Sequence, residues 1–133
     1  MANPVHHIEL WTHDLATAEP GWHWLLDSLG WERELVEGWP NGRIWRHASG
    51  VYVVLEASAA VIGDRHDRLA PGLNHLALRT GDRAGLDALR AAAPAHGWSE
   101  LFTDKYPHAG GPDHTALYLE NAEGFEVELV VDS

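Results

Sequence analysis

Apolar and polar positions alternate with a period of two over several short stretches of this chain, and with a helical period over two longer ones. Near the start, Val5-His6-His7-Ile8-Glu9-Leu10-Trp11 reads as a strand, with His7, Glu9 and Trp11 on one face and His6, Ile8 and Leu10 on the other. Thr12-His13-Asp14 turns the chain. Trp22, Leu25, Leu26 and Leu29 then share one stripe of a helix. Pro20 is best tolerated in a first turn, so the helix is predicted to begin near Ala18 with Thr17 as N-cap, and Gly30 ends it. Strands are predicted over Trp31 to Val36, Arg43 to His47 and Val51 to Glu56, with Asn41-Gly42 as a hairpin signal. Ser58 to Pro71 has no clean periodicity. It reads as a linker in which Arg65, His66 and Arg68 are solvated.

The pattern then starts over. Leu73 to Arg79 is a strand, Asp82 an N-cap, and Arg83 to Ala93 a helix with Leu86, Leu89 and Ala93 inward. Strands follow over Trp98 to Phe102, His114 to Glu120 and Phe125 to Val131, with a long Gly/Pro-rich loop from Thr103 to Asp113. His7-Ile8-Glu9-Leu10 matches His75-Leu76-Ala77-Leu78, Asp14 matches Asp82, Gly30-Trp31 matches Gly97-Trp98, and Glu56 matches Glu128. Such self-similarity fixes architecture. It predicts one α+β domain over 1–133, made of two βαβββ modules, 1–57 and 72–133, joined by a linker at 58–71. Helices cover one sheet face and leave the other as a cavity.

The last strand carries two carboxylates. Glu126 and Glu128 share one face, Phe125, Val127, Leu129 and Val131 the other. A carboxylate facing a cavity is costly unless a metal or another cation compensates it. The repeat offers a His early in the first strand and a Glu late in the last strand of each half: His7 and Glu56, His75 and Glu128. Two imidazoles and two carboxylates suit a divalent cation such as Zn, Ni, Co, Fe or Mn. Glu9, Trp11, Tyr52 and Arg79 share strand faces with these residues and are expected to line the cavity. Tyr118 and Trp45 join them if their strands keep register. Arg79 is the best cation for an anionic substrate group, the alternative being an ion pair with Glu9 or Glu126. His108 and His114 flank the long loop, which either closes over the site or is an ordinary surface loop.

Composition narrows the choices. There is no cysteine, which excludes disulfides, thiolate catalysis and sulfur-ligated metal. A formal net charge of −11 repels phosphate backbones and anionic lipid, so neither nucleic acid nor membrane is an expected partner. No run of about 18 apolar residues is present. The N-terminus does not read as a signal peptide, and a cytoplasmic location is expected. Seven tryptophans read mostly as core, and ten histidines favour nitrogen/oxygen metal ligation.

His7 to Leu15, Asn74-His75-Leu76-Ala77-Leu78 and Glu123-Gly124-Phe125-Glu126-Val127-Glu128-Leu129 resemble the vicinal oxygen chelate superfamily over essentially the whole chain. That group includes glyoxalase I, methylmalonyl-CoA epimerase, fosfomycin-resistance transferases, extradiol dioxygenases and bleomycin-binding proteins. The resemblance implies a cupped eight-stranded mixed sheet around a divalent metal, in a homodimer whose site is often built across subunits. By position, His7, Glu56, His75 and Glu128 match the four metal ligands of glyoxalase I. Glu56 separates this pattern from dioxygenases and fosfomycin-resistance enzymes, which use two His and one Glu. No glutathione-binding pattern is found, and the first helix is unusually Trp-rich.

The expected function is therefore that of a glyoxalase I-like (lactoylglutathione lyase-like) isomerase or lyase, with Zn, Ni or Co favoured and Fe or Mn next. Glu128 or Glu56 deprotonates a small oxygen-chelating carbonyl substrate to an enediolate. Arg79, Glu9, Trp11, Tyr52, Tyr118 and His108 contact that substrate. The alternatives are a metal-dependent extradiol-type dioxygenase and a non-catalytic, drug-binding resistance protein of the same fold.

Overall fold

The computed structural model describes residues 2–132. The chain forms two compact units that divide between Arg65 and His66. In the first, β1 (His7–Trp11) leads through helix α1 (Leu15–Ser28) to β2 (Glu32–Glu34), β3 (Gly42–Arg46) and β4 (Tyr52–Glu56). In the second, β5 (Leu76–Thr80) leads through α2 (Arg83–Ala92) and a 3-10 turn, Ala93–His96, to β6 (Trp98–Leu101), β7 (Thr115–Asn121) and β8 (Glu126–Val131). The architecture is α+β, two βαβββ modules, as the repeat predicts. The sheets run β1-β4-β3-β2 and β5-β8-β7-β6. In each, the first and last strands pair parallel and the rest antiparallel. The eight strands thus form two four-stranded mixed sheets, one from each βαβββ module.

Strand alternation separates a packed face from a polar one. In the first unit Trp22, Leu25 and Leu26 of α1 are buried together with Trp45, Val53 and Leu55 of the sheet. In the second, Leu86, Trp98, Leu117, Leu119, Val127 and Leu129 are buried. Trp45 Nε1 donates to His23 Nδ1 of α1 at 3.1 Å, so Trp45 belongs to the helix-covered face and not to a cavity.

Helix α1 starts earlier than Pro20 suggested. Asp14, not Thr17, is its N-cap: the Asp14 carboxylate accepts from the Ala16 N–H at 3.1 Å and from the Thr17 hydroxyl at 2.8 Å. The ladder opens with Ala18 N–H on the Asp14 carbonyl, and Pro20 lies inside the helix. One missing N–H there is offset by the cap and by the extra turn. Asp82 caps α2 in the same way, through Gly85 N–H at 2.8 Å. Gly30 and Gly97, with φ of 89° and 85°, leave the helical segments in the left-handed region that glycine tolerates, and each delivers a buried tryptophan, Trp31 or Trp98. Among the described residues, no helix is long and apolar enough to cross a membrane.

The Thr17 hydroxyl holds the Asp14 carboxyl below its usual range. A depressed pKa means that the cap stabilises the fold above the unfolded Asp value and stops doing so as pH falls through the folded value. We expect Asp14→Ala to melt below wild type at neutral pH and the two melting curves to converge in acid. Thermal denaturation of both proteins across that range checks this.

Candidate functional site

The polar face of the second unit is organised by β8, the strand held between β5 and β7. Its alternation turns Val127 and Leu129 into the core and Glu126 and Glu128 the other way. Both carboxylates are nonetheless almost out of water, at 4% and 6% exposure. The register sets Ala77 of β5 beside Glu128 on one side and Tyr118 of β7 on the other. The small side chain at 77 leaves room for the carboxylate's partners.

Two imidazoles meet Glu128. His75 Nε2 lies 3.1 Å from Oε1, and His114 Nε2 contacts Oε2. Tyr118 adjoins them. Burial, then the neighbouring Glu128 charge, pushes its phenol up to about 12, so it remains an O–H donor at neutral pH. The long loop packs onto this group at Gly110, where a Cβ would come within 2.6 Å of the His114 ring and 2.8 Å of the Tyr118 oxygen. The same loop is moored to α2 by Tyr106, whose hydroxyl donates to Asp87 at 2.6 Å while the Arg90 guanidinium lies 4.0 Å over its ring. His108 Nδ1 donates to the His114 carbonyl at 3.2 Å, so His108 supports the backbone of His114.

Glu126 has a different partner. Arg68 Nη1 lies 3.0 Å from its Oε1, an ion pair without hydrogen-bond alignment, while Arg68 Nε donates to Glu120 at 2.8 Å. Burial raises the Glu126 pKa and the Arg68 charge opposes that rise. His66 stacks on Phe125 at 4.6 Å between ring centroids. Arg68 and His66 are therefore built into the second unit, against the expectation that both are solvated.

The first unit carries less. His7 is exposed and stacks on Tyr52 at 4.8 Å, and the Trp11 indole N–H donates to Glu9 at 2.6 Å. His7 stands opposite Tyr52, whereas Glu56 stands opposite Trp11. Four strand positions separate the two pairs, about 13 Å. His7 and Glu56 are thus not brought together within the unit as His75 and Glu128 are. The registers also revise the repeat. Ile8 pairs with Val53 and Leu76 with Val127, so Val54 is the structural equivalent of Glu128, and Glu56 lies two residues beyond. Arg79, 83% exposed at its side chain, pairs with Asp132 rather than with Glu9 or Glu126.

Imidazole nitrogen and carboxylate oxygen are the right donors for a borderline divalent cation. Among the described residues, however, no group of three or more His, Asp or Glu side chains is arranged to hold a metal ion. The donor chemistry at Glu128 fits such a cation, while the donors themselves face one another. In the sequence His114 stands out only as a residue flanking the long loop and opening a strand; its contact with Glu128 is not evident there, because it precedes β7 and alternation does not fix where its side chain ends.

Comparison with known proteins bears on this site. A family model described as Glyoxalase/Bleomycin resistance protein/Dioxygenase superfamily matches residues 6–118. The Bacillus subtilis (strain 168) protein YqjT, itself uncharacterised, is 32% identical over 129 residues, covering 97% of this chain and 99% of that one. A Bacillus halodurans crystal structure, provisionally assigned as a glyoxalase, is 30% identical with a TM-score of 0.87, covering 98% and 96% of the two chains. A mutant of the Listeria monocytogenes fosfomycin resistance protein FosX, crystallised with Mn(II) and dihydroxypropylphosphonic acid, shares the fold at 16% identity, with a TM-score of 0.61 and coverage of 98% and 90%.

Arg68 is the cation that makes a buried Glu126 tolerable. Replacing it by Met is expected to cost about 3 kcal/mol, the low end for breaking a buried pair, and adding Glu126→Gln in the same chain should recover most of that loss. Urea denaturation of the wild type, the single variant and the double variant measures both effects.

Proposed function

The chain belongs to the Glyoxalase/Bleomycin resistance protein/Dioxygenase superfamily, and from that premise we propose that it is a divalent-metal-dependent isomerase or lyase acting on a small oxygen-chelating substrate. The observation that carries this reading is the convergence of His75 and His114 on the two oxygens of one buried carboxylate, Glu128. A buried carboxylate between imidazoles is poised to exchange one partner for a cation at little desolvation cost.

In this reading His75 and Glu128 are ligands from the second module, and a first module supplies His7 or Glu56, which do not meet within one module, as a further ligand. A bound divalent cation supplies positive charge that acidifies a group it polarises. Glu128 or Glu56 takes the substrate proton, and Tyr118, still protonated at neutral pH, donates to a substrate oxygen. Glu9, Trp11, Tyr52 and His108 shape the substrate's surroundings, and Arg79 receives an anionic tail by leaving Asp132. Homodimeric assembly and a cytoplasmic location belong to the same reading.

A second reading is a small-molecule-binding protein without a metal. It is favoured by the contact that His114 already makes with Glu128, with no three-donor group arranged for a metal among the described residues.

Elemental analysis of protein purified without an affinity tag separates the two. The enzyme reading expects about one divalent ion per chain, lost in Glu128→Ala and His75→Ala. Loss in Glu56→Ala as well marks Glu56 as the further ligand, as in the glyoxalase I pattern. Zinc, nickel or cobalt directs the search to isomerase substrates, and iron with oxygen uptake to a dioxygenase. Wild-type protein that holds no metal and takes none up on titration sinks the enzyme reading in favour of the binder.

A further inference from the structure

Asn74 lies between the linker and β5. Its Nδ2 donates to the Arg68 carbonyl at 3.0 Å, and its Oδ1 is 2.7 Å from His75 Nδ1. A main-chain carbonyl only accepts, so Arg68 settles which way the amide faces: the NH2 toward the linker, the oxygen toward His75. An amide oxygen also only accepts. His75 Nδ1 therefore carries a hydrogen, and the neutral ring keeps its lone pair on Nε2. Nε2 is the atom 3.1 Å from Glu128 Oε1. In the neutral ring two lone-pair-bearing atoms at that separation repel, and a positive centre between them, a proton or a divalent cation, turns the contact attractive.

We propose that Asn74 is a positioning residue: oriented by the Arg68 carbonyl, it fixes the tautomer of His75 and so presets Nε2 as a cation ligand. The linker residue that supplies the reference carbonyl is itself gripped by its side chain, through Glu120 and Glu126. Among the described residues of the first module, His7 has a different partner. His7 Nδ1 lies 2.8 Å from His6 Nδ1, where either ring can hold the hydrogen, so His7 is not locked by an acceptor-only partner. The ligand half of the proposal rests on the metal-dependent reading above; the tautomer half does not.

Two measurements test it. Long-range proton–nitrogen NMR on metal-free, 15N-labelled protein at alkaline pH reads the tautomer, with the His75 ring assigned by its absence in His75→Gln. Wild type is expected to show a hydrogen-bearing Nδ1 and a pyridine-like Nε2 at His75, and Asn74→Leu to lose that preference while its circular dichroism stays native. Cobalt(II) titration of the same proteins should show affinity reduced about 10–100-fold in Asn74→Leu, the usual effect of removing a ligand's outer hydrogen bond. A wild-type His75 with its hydrogen on Nε2 overturns the proposal, and so does an Asn74→Leu protein that binds cobalt as tightly as wild type. A wild-type protein that takes up no cobalt removes the metal reading and the ligand half with it, and the NMR result still decides the tautomer.

Discussion

A carboxylate withdrawn from water must be answered by positive charge or by hydrogen bonds, and β8 withdraws two of them within three residues. Most of what is distinctive about the second module follows. Glu126 is answered by Arg68, which brings the segment after the unit boundary down onto the sheet. Glu128 is answered by His114 on one oxygen, while His75 Nε2 faces the other. The loop carrying His114 is in turn held by Tyr106 on α2 and by the tight approach at Gly110. Linker and loop, which would otherwise be connecting chain, become parts of one electrostatic assembly.

This assembly is affordable because the opposite face of each sheet does ordinary work. Trp22, Leu25 and Leu26 in one unit, and Leu86, Trp98, Leu117 and Leu129 in the other, are withdrawn from water almost completely. Strand alternation lets the same few residues of β8 serve both ends: Val127 and Leu129 stabilise the module while Glu126 and Glu128 lie on its opposite, polar face.

The architecture was legible because it is written in periodicities. The β-α-β-β-β order, the N-cap at Asp82, and the Gly-Trp exits from both helical segments are local signals. The candidate site was legible only in part. Face assignment is robust to a slip of two residues, since alternation returns to the same side; that is why Glu56 could be matched to Glu128 when the ladder matches Val54. Partner choice was out of reach for a different reason. Arg68 lies in the linker and His114 at the very start of a predicted strand, and only the fold shows that their side chains end on buried carboxylates. Pro20 misled because it speaks for one hydrogen bond, while Asp14 sets where the whole helix begins.

The registers leave one asymmetry between the modules. At the same level of the sheet, Glu9 on β1 faces Val54 on β4, whereas Ala77 on β5 faces Glu128 on β8. The acid has changed strands between copies. A tandem duplication that preserves its hydrophobic alternation constrains stability in both copies equally, but it does not tie their polar faces together. Each copy is free to drift at alternate positions without unfolding. The two halves of this chain thus share a backbone plan without sharing a polar face.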